Sequence, residues 1–302
     1  MAGGQVPYPR SLFLEPKARS GRTFGLHPGS LVGRAAAALK IVATSSAGAS
    51  FLATNQLAVQ AGARELVSGL TATFAPREFI AILGRNGSGK TLTLHTLAGL
   101  RAPAAGTVTL DGAPLATLPR RKIARRIGVL LQDLEESFTS TALESVLVGR
   151  HPHLAPWQWE GREDERIARA ALTHMDLSGF AERRTDTLSG GEQRRVAIAC
   201  LLAQEPDVYL VDEPTNHLDP HHQLAVLALL RDLASRGASI IASLHDPTLA
   251  ARFADRVLLL FGDGGWRLGP AEEILNGASL SELYSTPMVE LAASGRRVFA
   301  SA

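Results

Sequence analysis

The sequence contains a single cysteine, Cys200, and no long uninterrupted apolar stretch. One cysteine cannot form a disulfide within the chain, which excludes a disulfide-stabilised scaffold and suits a reducing compartment. No run approaches the roughly 18 apolar residues that a membrane-spanning helix needs. The first residues also lack the charged, apolar and small-residue segments of a secretory signal in that order. We therefore expect a globular protein that, if it acts at a membrane, binds the membrane surface without spanning it.

Strong charge of either sign is also missing. The formal net charge is +2, and hydrophobic residues make up 45% of the chain, as in an ordinary globular protein. Residues 1–50 hold six basic residues and one acidic residue, so they carry +5 and the rest of the chain carries −3. A mildly acidic folded part lacks the basic surface that nucleic acid requires, so we expect no nucleic-acid partner.

Residues 1–50 are rich in Gly, Ala, Ser, Arg and Pro and show no sustained periodicity. This composition predicts a mostly disordered N-terminal extension. An organelle transit peptide, or a start codon assigned too early, would have the same composition. The folded domain is predicted to span residues 51–302.

Residues 84–91 fit the pattern G-x-x-x-x-G-K-[ST] of a phosphate-binding loop. The loop follows an apolar stretch at residues 79–83 that is typical of a buried strand, and residues 92–100 carry apolar residues at helical spacing. The free amides and the positive dipole end of that helix would face an anion. The predicted nucleotide-binding residues of this loop are Gly84, Asn86, Gly87, Ser88, Gly89, Lys90 and Thr91.

The remaining pattern predicts an α/β fold. Residues 53–59 and 70–74 indicate an antiparallel β subdomain, whereas residues 208–211 and 239–243 are apolar strands separated by a helical pattern. Strands that alternate with helices imply right-handed crossovers and a mainly parallel core sheet. Between these parts, about residues 133–188 show helical patterns and no convincing strand, which predicts an all-helical insertion.

Two carboxylates, Asp212 and Glu213, directly follow the predicted strand at residues 208–211. A ligand of a parallel sheet binds outside the carboxyl ends of the strands, so both should lie beside the phosphate loop. Asp212 and the Thr91 hydroxyl would then hold Mg²⁺, and Glu213 would orient or deprotonate the water that attacks the γ-phosphate of ATP. Such a pair alone is often structural, but its combination with a phosphate loop favours catalysis.

A second group of free amides is predicted at Ser189, Gly190 and Gly191, where two glycines follow a serine at the start of a helix. One ATP needs only one such cradle. The second cradle suggests a homodimer in which each chain offers its serine-glycine turn to the nucleotide on the other.

Taken in order, these motifs resemble those of the ATP-binding cassette (ABC) ATPases, and the resemblance covers residues 51–302. The motifs are the Walker A loop at residues 84–91, the Q-loop residue Gln132, the signature at residues 188–193, the Walker B residue Asp212 followed by Glu213, the D-loop at residues 216–219 and the switch residue His245. Six motifs in the right order and spacing make the resemblance specific. It implies a P-loop NTPase fold.

The resemblance also implies roles for individual residues. The family forms a head-to-tail dimer with two ATP molecules at the interface. Asp219 of the D-loop would be one of the nucleotide-binding residues at this interface. His245 would contact the γ-phosphate, and Gln132 would approach Mg²⁺ while sensing a membrane partner. The predicted catalytic residues are therefore Glu213, His245 and Gln132, and the predicted Mg²⁺ site comprises Thr91, Gln132 and Asp212.

Residues 149–153, 215–219 and 280–284 resemble the ATPases of importers for vitamin B12, ferric siderophores and haem. This implies an integral membrane permease, an external or periplasmic substrate-binding protein, and a peripheral position on the cytoplasmic face of the inner membrane. Trp157 and Trp159 of the insertion would either contact the permease or pack internally. His151 and His153 could suggest a metal site, but no further ligand follows at fitting spacing.

Two other functions stay open at this point. A soluble ABC ATPase acting on ribosomes or DNA usually carries two cassettes or inserted coiled coils, and this chain has neither. A non-catalytic regulatory cassette disagrees with the retention of Lys90, Asp212, Glu213 and His245. One departure from the family pattern is that residues 59–63 lack the aromatic ring that stacks on adenine, which puts base selectivity in doubt.

Overall fold

A six-stranded, a four-stranded and a two-stranded sheet organise the computed structural model, which describes residues 52–132, 140–293 and 295–302. The predicted N-terminal extension and residues 133–139 lie outside this description. The strands are β1 (Leu52–Ala61), β2 (Arg64–Phe74), β3 (Phe79–Leu83), β4 (Ala105–Leu110), β5 (Ala113–Pro114), β6 (Ile127–Leu130), β7 (Val208–Val211), β8 (Ser239–Ser243), β9 (Arg256–Leu260), β10 (Trp266–Pro270), β11 (Met288–Ala293) and β12 (Arg296–Ser301). The helices are α1 (Lys90–Leu97), α2 (Arg120–Arg126), α3 (Ala142–Leu147), α4 (Arg162–His174), α5 (Gly190–Ala203), α6 (Pro220–Ser235), α7 (Pro247–Phe253), α8 (Ala271–Ile274) and α9 (Gly277–Tyr284).

The six-stranded sheet has the order β10-β9-β3-β8-β7-β6, and all its pairs are parallel except the edge pair of β9 with β10. Strand β3 is wholly buried, as is typical of parallel sheets covered on both faces. Phe79, Ala81 and Leu83 pack into one hydrophobic core, whereas Ile80 and Ile82 pack into the other. The sheet therefore lies between two cores, and its central strand leads into the phosphate loop.

The four-stranded sheet, in the order β2-β1-β4-β5, is antiparallel and covers one face of the core sheet. Its alternating buried residues, such as Leu52 and Val67, share a core with α1. Together with the core sheet and the helices, it confirms the predicted α/β class with a mainly parallel core sheet and an antiparallel subdomain.

The described part of the predicted insertion, residues 140–188, contains helices joined by turns and no strand, apart from one isolated bridge between Thr141 and Arg184. Thr141 caps α3 in a capping box with Glu144, which satisfies free amides at the helix start. Arg150 then joins the insertion to the core, because its buried guanidinium contacts Asp164 at 3.0 Å and Glu205 at 2.8 Å. The insertion thus packs on the end of α5 through hydrogen-bonded charges.

One feature of the C-terminal part was not predicted from the sequence. The hairpin of β11 and β12 was missed, because most residues of β11 are exposed and the pair shows no alternating apolar pattern. Of the two insertion tryptophans, Trp157 is 100% exposed and Trp159 is 86% exposed, so neither ring is buried by the residues that the structure describes.

We predict that Gly149→Ala destabilises the fold. A Cβ atom at Gly149 would lie 2.3 Å from the Cys200 carbonyl oxygen, which forces the insertion away from α5. Overpacking of this kind costs about 1–3 kcal/mol, and each kcal/mol lowers the melting temperature by roughly 2–4 °C in a domain of this size. The measurement is thermal unfolding, with Gly179→Ala as the matched control, since no atom of the described residues other than its chain neighbours lies within 4 Å of a Cβ atom at Gly179. Equal melting temperatures for the two variants would contradict the prediction.

Candidate nucleotide-binding and catalytic site

The phosphate loop connects the buried end of β3 to the first residue of α1, Lys90. Gly89 occupies the capping position with φ of 101°, a backbone conformation that side-chain-bearing residues rarely adopt. Gly84 is needed for a different reason, because a Cβ atom there would lie 2.6 Å from the Leu260 carbonyl oxygen. These glycines let the loop close tightly over the strand ends, with its amides at the start of a helix.

Lys90 is buried beneath this loop. Its ammonium donates to the carbonyl oxygens of Gly84 at 2.9 Å and Arg85 at 3.3 Å. Burial lowers the pKa of Lys90, and the negative charges of Glu213 and Asp212 partly oppose that shift. The loop therefore holds a desolvated cation that phosphate oxygens could bind strongly.

A cavity of about 420 Å³ opens beside the loop. It brings together the predicted loop residues with residues from distant parts of the sequence. Its lining comprises Ala61, Leu66, Asn86, Gly87, Gly89, Lys90, Thr91, Leu92, Gln132, Glu213 and His245. The structure thus assembles most of the predicted nucleotide-binding and catalytic residues around a single space.

Asp212 lies at the edge of this space and is 1% exposed. The Ser243 hydroxyl donates to its Oδ1 atom at 2.5 Å, whereas its Oδ2 atom has no hydrogen-bond partner among the described residues. A buried carboxylate oxygen without a partner is costly, and binding of a cation would compensate that cost. With the Thr91 hydroxyl at the start of α1, this residue fits Mg²⁺, whose preferred ligands are oxygens.

Glu213 is also buried, and its φ of 46° lies in the left-handed region. Its amide donates to the Ser243 hydroxyl at 2.8 Å. Its side chain contacts the Asn216 amide, and Oε1 lies 2.5 Å from Nε2 of His245. A carboxylate paired with an imidazole at the cavity wall is suited to orienting and deprotonating water.

Other predicted site residues do not line this cavity. Ser189 caps α5 in a capping box with Glu192, and Gly190 and Gly191 form the first turn of that helix. Asp219 caps α6, and its carboxylate contacts the amide and the ring of His222. Backbone hydrogen bonding from His222 lowers the pKa of Asp219. Within one chain, therefore, the signature turn and the D-loop aspartate are separate from the phosphate loop.

Sequence reasoning assigned no role to two residues that organise the site. Ser243 ends β8, which lies between β3 and β7, so its hydroxyl reaches both Asp212 and Glu213. Because ligands bind at the carboxyl ends of parallel strands, the position of Ser243 at such an end could have marked it as a site residue. Arg194 of α5 is buried and contacts the backbone of Asp212 and Glu213. Nothing in the sequence distinguishes it from an exposed helical arginine.

Two residues of the C-terminal part of the chain contact residues of the candidate site. Arg85 of the phosphate loop donates to the Ser285 hydroxyl at 3.0 Å, and the Tyr284 hydroxyl lies 3.4 Å from the His245 carbonyl oxygen. Burial raises the pKa of Tyr284 to about 12, so the hydroxyl keeps its proton and can donate. The tail motif at residues 280–284 thus contacts the switch histidine.

The histidines of the insertion have separate partners. His151 pairs with Glu160 at 3.0 Å, and His153 contacts the Gln204 carbonyl at 2.8 Å. Among the described residues, no group of three or more His, Cys, Asp or Glu side chains is placed to hold a metal ion. In the same part of the chain, no helix is long and apolar enough to cross a membrane.

A phosphate loop, a paired carboxylate and histidine, and a separate signature turn define the class of this protein. The family model for ABC transporters matches residues 67–216. The chain belongs to the ABC transporter family and is one of its ATP-hydrolysing ATP-binding subunits. This confirms the resemblance seen in the sequence.

Its curated relatives include import subunits. The hemin import ATP-binding protein HmuV of Nocardia farcinica is 41% identical over 228 residues, which cover 75% of this chain and 78% of that protein. The ferric enterobactin transport ATP-binding protein FepC of Escherichia coli is 36% identical over 230 residues, which cover 76% of this chain and 85% of that protein.

Solved structures show the same fold. A structure described as a metal-chelate type ABC transporter in an inward-facing conformation aligns with a TM-score of 0.73 and 27% identity, covering 84% of this chain and 98% of that chain. A dimeric bacterial ABC transporter cassette aligns with a TM-score of 0.63 and 28% identity, covering 73% of this chain and 98% of that chain. The predicted fold class is therefore confirmed.

The lining of the cavity predicts weak selection for the nucleotide base. Ala61, which lies in the stretch at residues 59–63 where a stacking ring is expected, lines the cavity together with Leu66, and neither offers an aromatic face. We expect kcat/KM for ATP and GTP to agree within about threefold, and a tenfold preference for ATP, about 1.4 kcal/mol, would contradict this.

A second test adds an aromatic ring to the cavity wall and measures whether base selectivity increases. Ala61→Tyr should favour ATP over GTP more than the wild type does, because it supplies a ring at the cavity wall. Ala63→Tyr is the matched control, since Ala63 does not line the cavity. Both variants are measured by steady-state hydrolysis of the two nucleotides.

Proposed function

We propose that this protein is the ATPase subunit of an importer for a metal chelate, such as haem, a ferric siderophore or cobalamin. The observation that carries the proposal is the single cavity in which Lys90, Thr91, Glu213 and His245 meet beside the buried Asp212. The import relatives and the metal-chelate type structure support the substrate class.

In the proposed mechanism, Lys90 and the loop amides bind the β- and γ-phosphates of ATP. Thr91 and Asp212 would hold Mg²⁺, with Gln132 nearby, and the bound ion would supply charge neutralisation on the phosphates. Positioning and charge stabilisation account for most of the catalysis in phosphoryl transfer. The residues of this chain therefore act mainly by holding the phosphates, the ion and the attacking water in place.

Glu213 acts as the base in this proposal. Its carboxylate faces the cavity, takes a proton from water as the water attacks the γ-phosphate, and is oriented by Asn216 and His245. His245 also reaches the cavity and would contact the γ-phosphate. The Ser243 hydroxyl supports both carboxylates, because it accepts from Glu213 and donates to Asp212.

The site is completed by a second copy of the chain. Ser189, Gly190 and Gly191 do not line the cavity of their own chain, so we propose that they bind the nucleotide held by the partner, with Asp219 close to the same interface. The similarity to a dimeric cassette supports this head-to-tail homodimer. ATP binding would close the dimer, and hydrolysis would reopen it.

The homodimer would act on integral membrane permease subunits from the cytoplasmic face of the membrane. The exposed Trp157 and Trp159 of the helical insertion support docking on the permease, because two large apolar rings that are mostly in water would gain free energy if a partner covered them. A periplasmic or external substrate-binding protein would deliver the chelate through the permease. The proposal includes no nucleic-acid partner.

We predict that Glu213→Gln reduces ATP hydrolysis to a small residual rate and preserves ATP binding. A glutamine side chain keeps the shape of Glu213 but cannot accept the proton of the attacking water, and loss of a general base typically costs about 10²–10⁴ in rate. Hydrolysis is measured by phosphate release, and binding by equilibrium titration with ATP. The variant should also accumulate as a dimer in the presence of ATP, as seen by gel filtration.

Glu163→Gln provides the matched control for this substitution. Glu163 lies on the exposed face of α4 and pairs with Arg166, so the same chemical change there should leave turnover unaltered. Turnover by Glu213→Gln close to that of the control would remove Glu213 as the base.

A further inference from the structure

We propose that Arg194 is a positioning residue for ATP hydrolysis, which holds the backbone on both sides of the catalytic edge so that Glu213 points into the cavity. The inference rests on the proposed function, because it assigns Arg194 a role through Glu213. Arg194 itself does not line the cavity.

The guanidinium of Arg194 joins the ends of two neighbouring strands. Its Nη1 atom donates to the carbonyl oxygens of Leu131 at 2.6 Å and Gln132 at 3.3 Å, just after β6. Its Nη2 atom donates to the carbonyl oxygens of Asp212 and Glu213, just after β7, at 2.9 Å for Glu213. One side chain therefore contacts the main chains of Gln132, of the proposed Mg²⁺ ligand Asp212 and of the proposed base Glu213.

Because the Arg194 guanidinium is buried, its hydrogen bonds must be well formed. Arg194 is 3% exposed, and a charged group is removed from water only where hydrogen bonds compensate for the lost solvation. The planar guanidinium presents its N–H groups in fixed directions, so it holds its acceptors at set positions relative to each other. A lysine ammonium has no such fork and could not span both strand ends in the same way.

The backbone conformation of Glu213 needs such support. Its φ of 46° is uncommon for a residue with a side chain, and such conformations persist only where the surroundings hold them. Arg194 holds the carbonyl of Glu213, and Ser243 holds its amide. The main chain of Glu213 is thus restrained on both sides, which directs the carboxylate towards His245 at 2.5 Å.

The first test is Arg194→Lys, with Arg194→Gln as a second variant that removes the charge. Misplacement of a reacting group by about 1 Å costs up to 100-fold in rate, so we expect kcat to fall about tenfold or more in both variants. The dissociation constant for ATP should stay within about threefold, because neither variant touches the phosphate loop.

Arg195→Lys is the matched control. Arg195 is the next residue of α5, and its guanidinium contacts the Met175 carbonyl at 3.0 Å, on the side of the helical insertion. The same substitution there should leave kcat within about twofold of the wild type. Melting temperatures of all variants establish that the proteins compared are folded.

A double variant separates a positioning role from a general structural one. In a Glu213→Gln background the group that Arg194 positions has already lost its function, so adding Arg194→Lys should lower the residual rate by less than about twofold. A structural role would give the same fold loss in both backgrounds, and that result would overturn the inference. So would a kcat close to the wild type in folded Arg194→Lys, or the failure of both Arg194 variants to fold.

The outcomes also distinguish this inference from the proposed function. Normal turnover by Glu213→Gln would reject Glu213 as the base, and the role of Arg194 with it. An inactive Glu213→Gln together with a fully active Arg194→Lys would reject the role of Arg194 alone.

Discussion

Close placement of negative charge is the constraint on which the site depends. Two buried carboxylates, Asp212 and Glu213, stand beside a cavity suited to a triphosphate, and like charges at such range repel strongly away from water. The structure offsets this with the buried Lys90 on one side and the Arg194 guanidinium behind the backbone. The parallel sheet makes the arrangement possible, because it brings the ends of separate strands to one edge.

The strand order of the core sheet determines which residues meet at this edge. Strand β8 lies between β3 and β7, so Ser243 at its end reaches the residues that follow β7, while the phosphate loop follows β3. Helix α5, which Ser189 caps, passes behind this edge and carries Arg194. One helix therefore carries the turn at residues 189–191 at its start and, further along, the arginine that contacts the backbone of Asp212 and Glu213.

The order of strands and helices could be predicted because apolar periodicity and the phosphate-loop motif are local signals. The core strands at Phe79–Leu83, Val208–Val211 and Ser239–Ser243 agree with the structure. The hairpin of β11 and β12 could not be found, since its exposed residues lack a periodic apolar pattern. Arg194 was missed for a related reason, because its burial arises from tertiary contacts with two distant strands.

The central claim is that each nucleotide site is shared between two chains, and mixed dimers test it most directly. Lys90→Ala removes the phosphate contact, and Ser189→Arg blocks the signature turn, so each variant alone should lose ATP hydrolysis. An equal mixture should recover about a quarter of the wild-type rate, because half of the dimers are mixed and each holds one complete site. Wild-type hydrolysis by Ser189→Arg on its own would contradict the account.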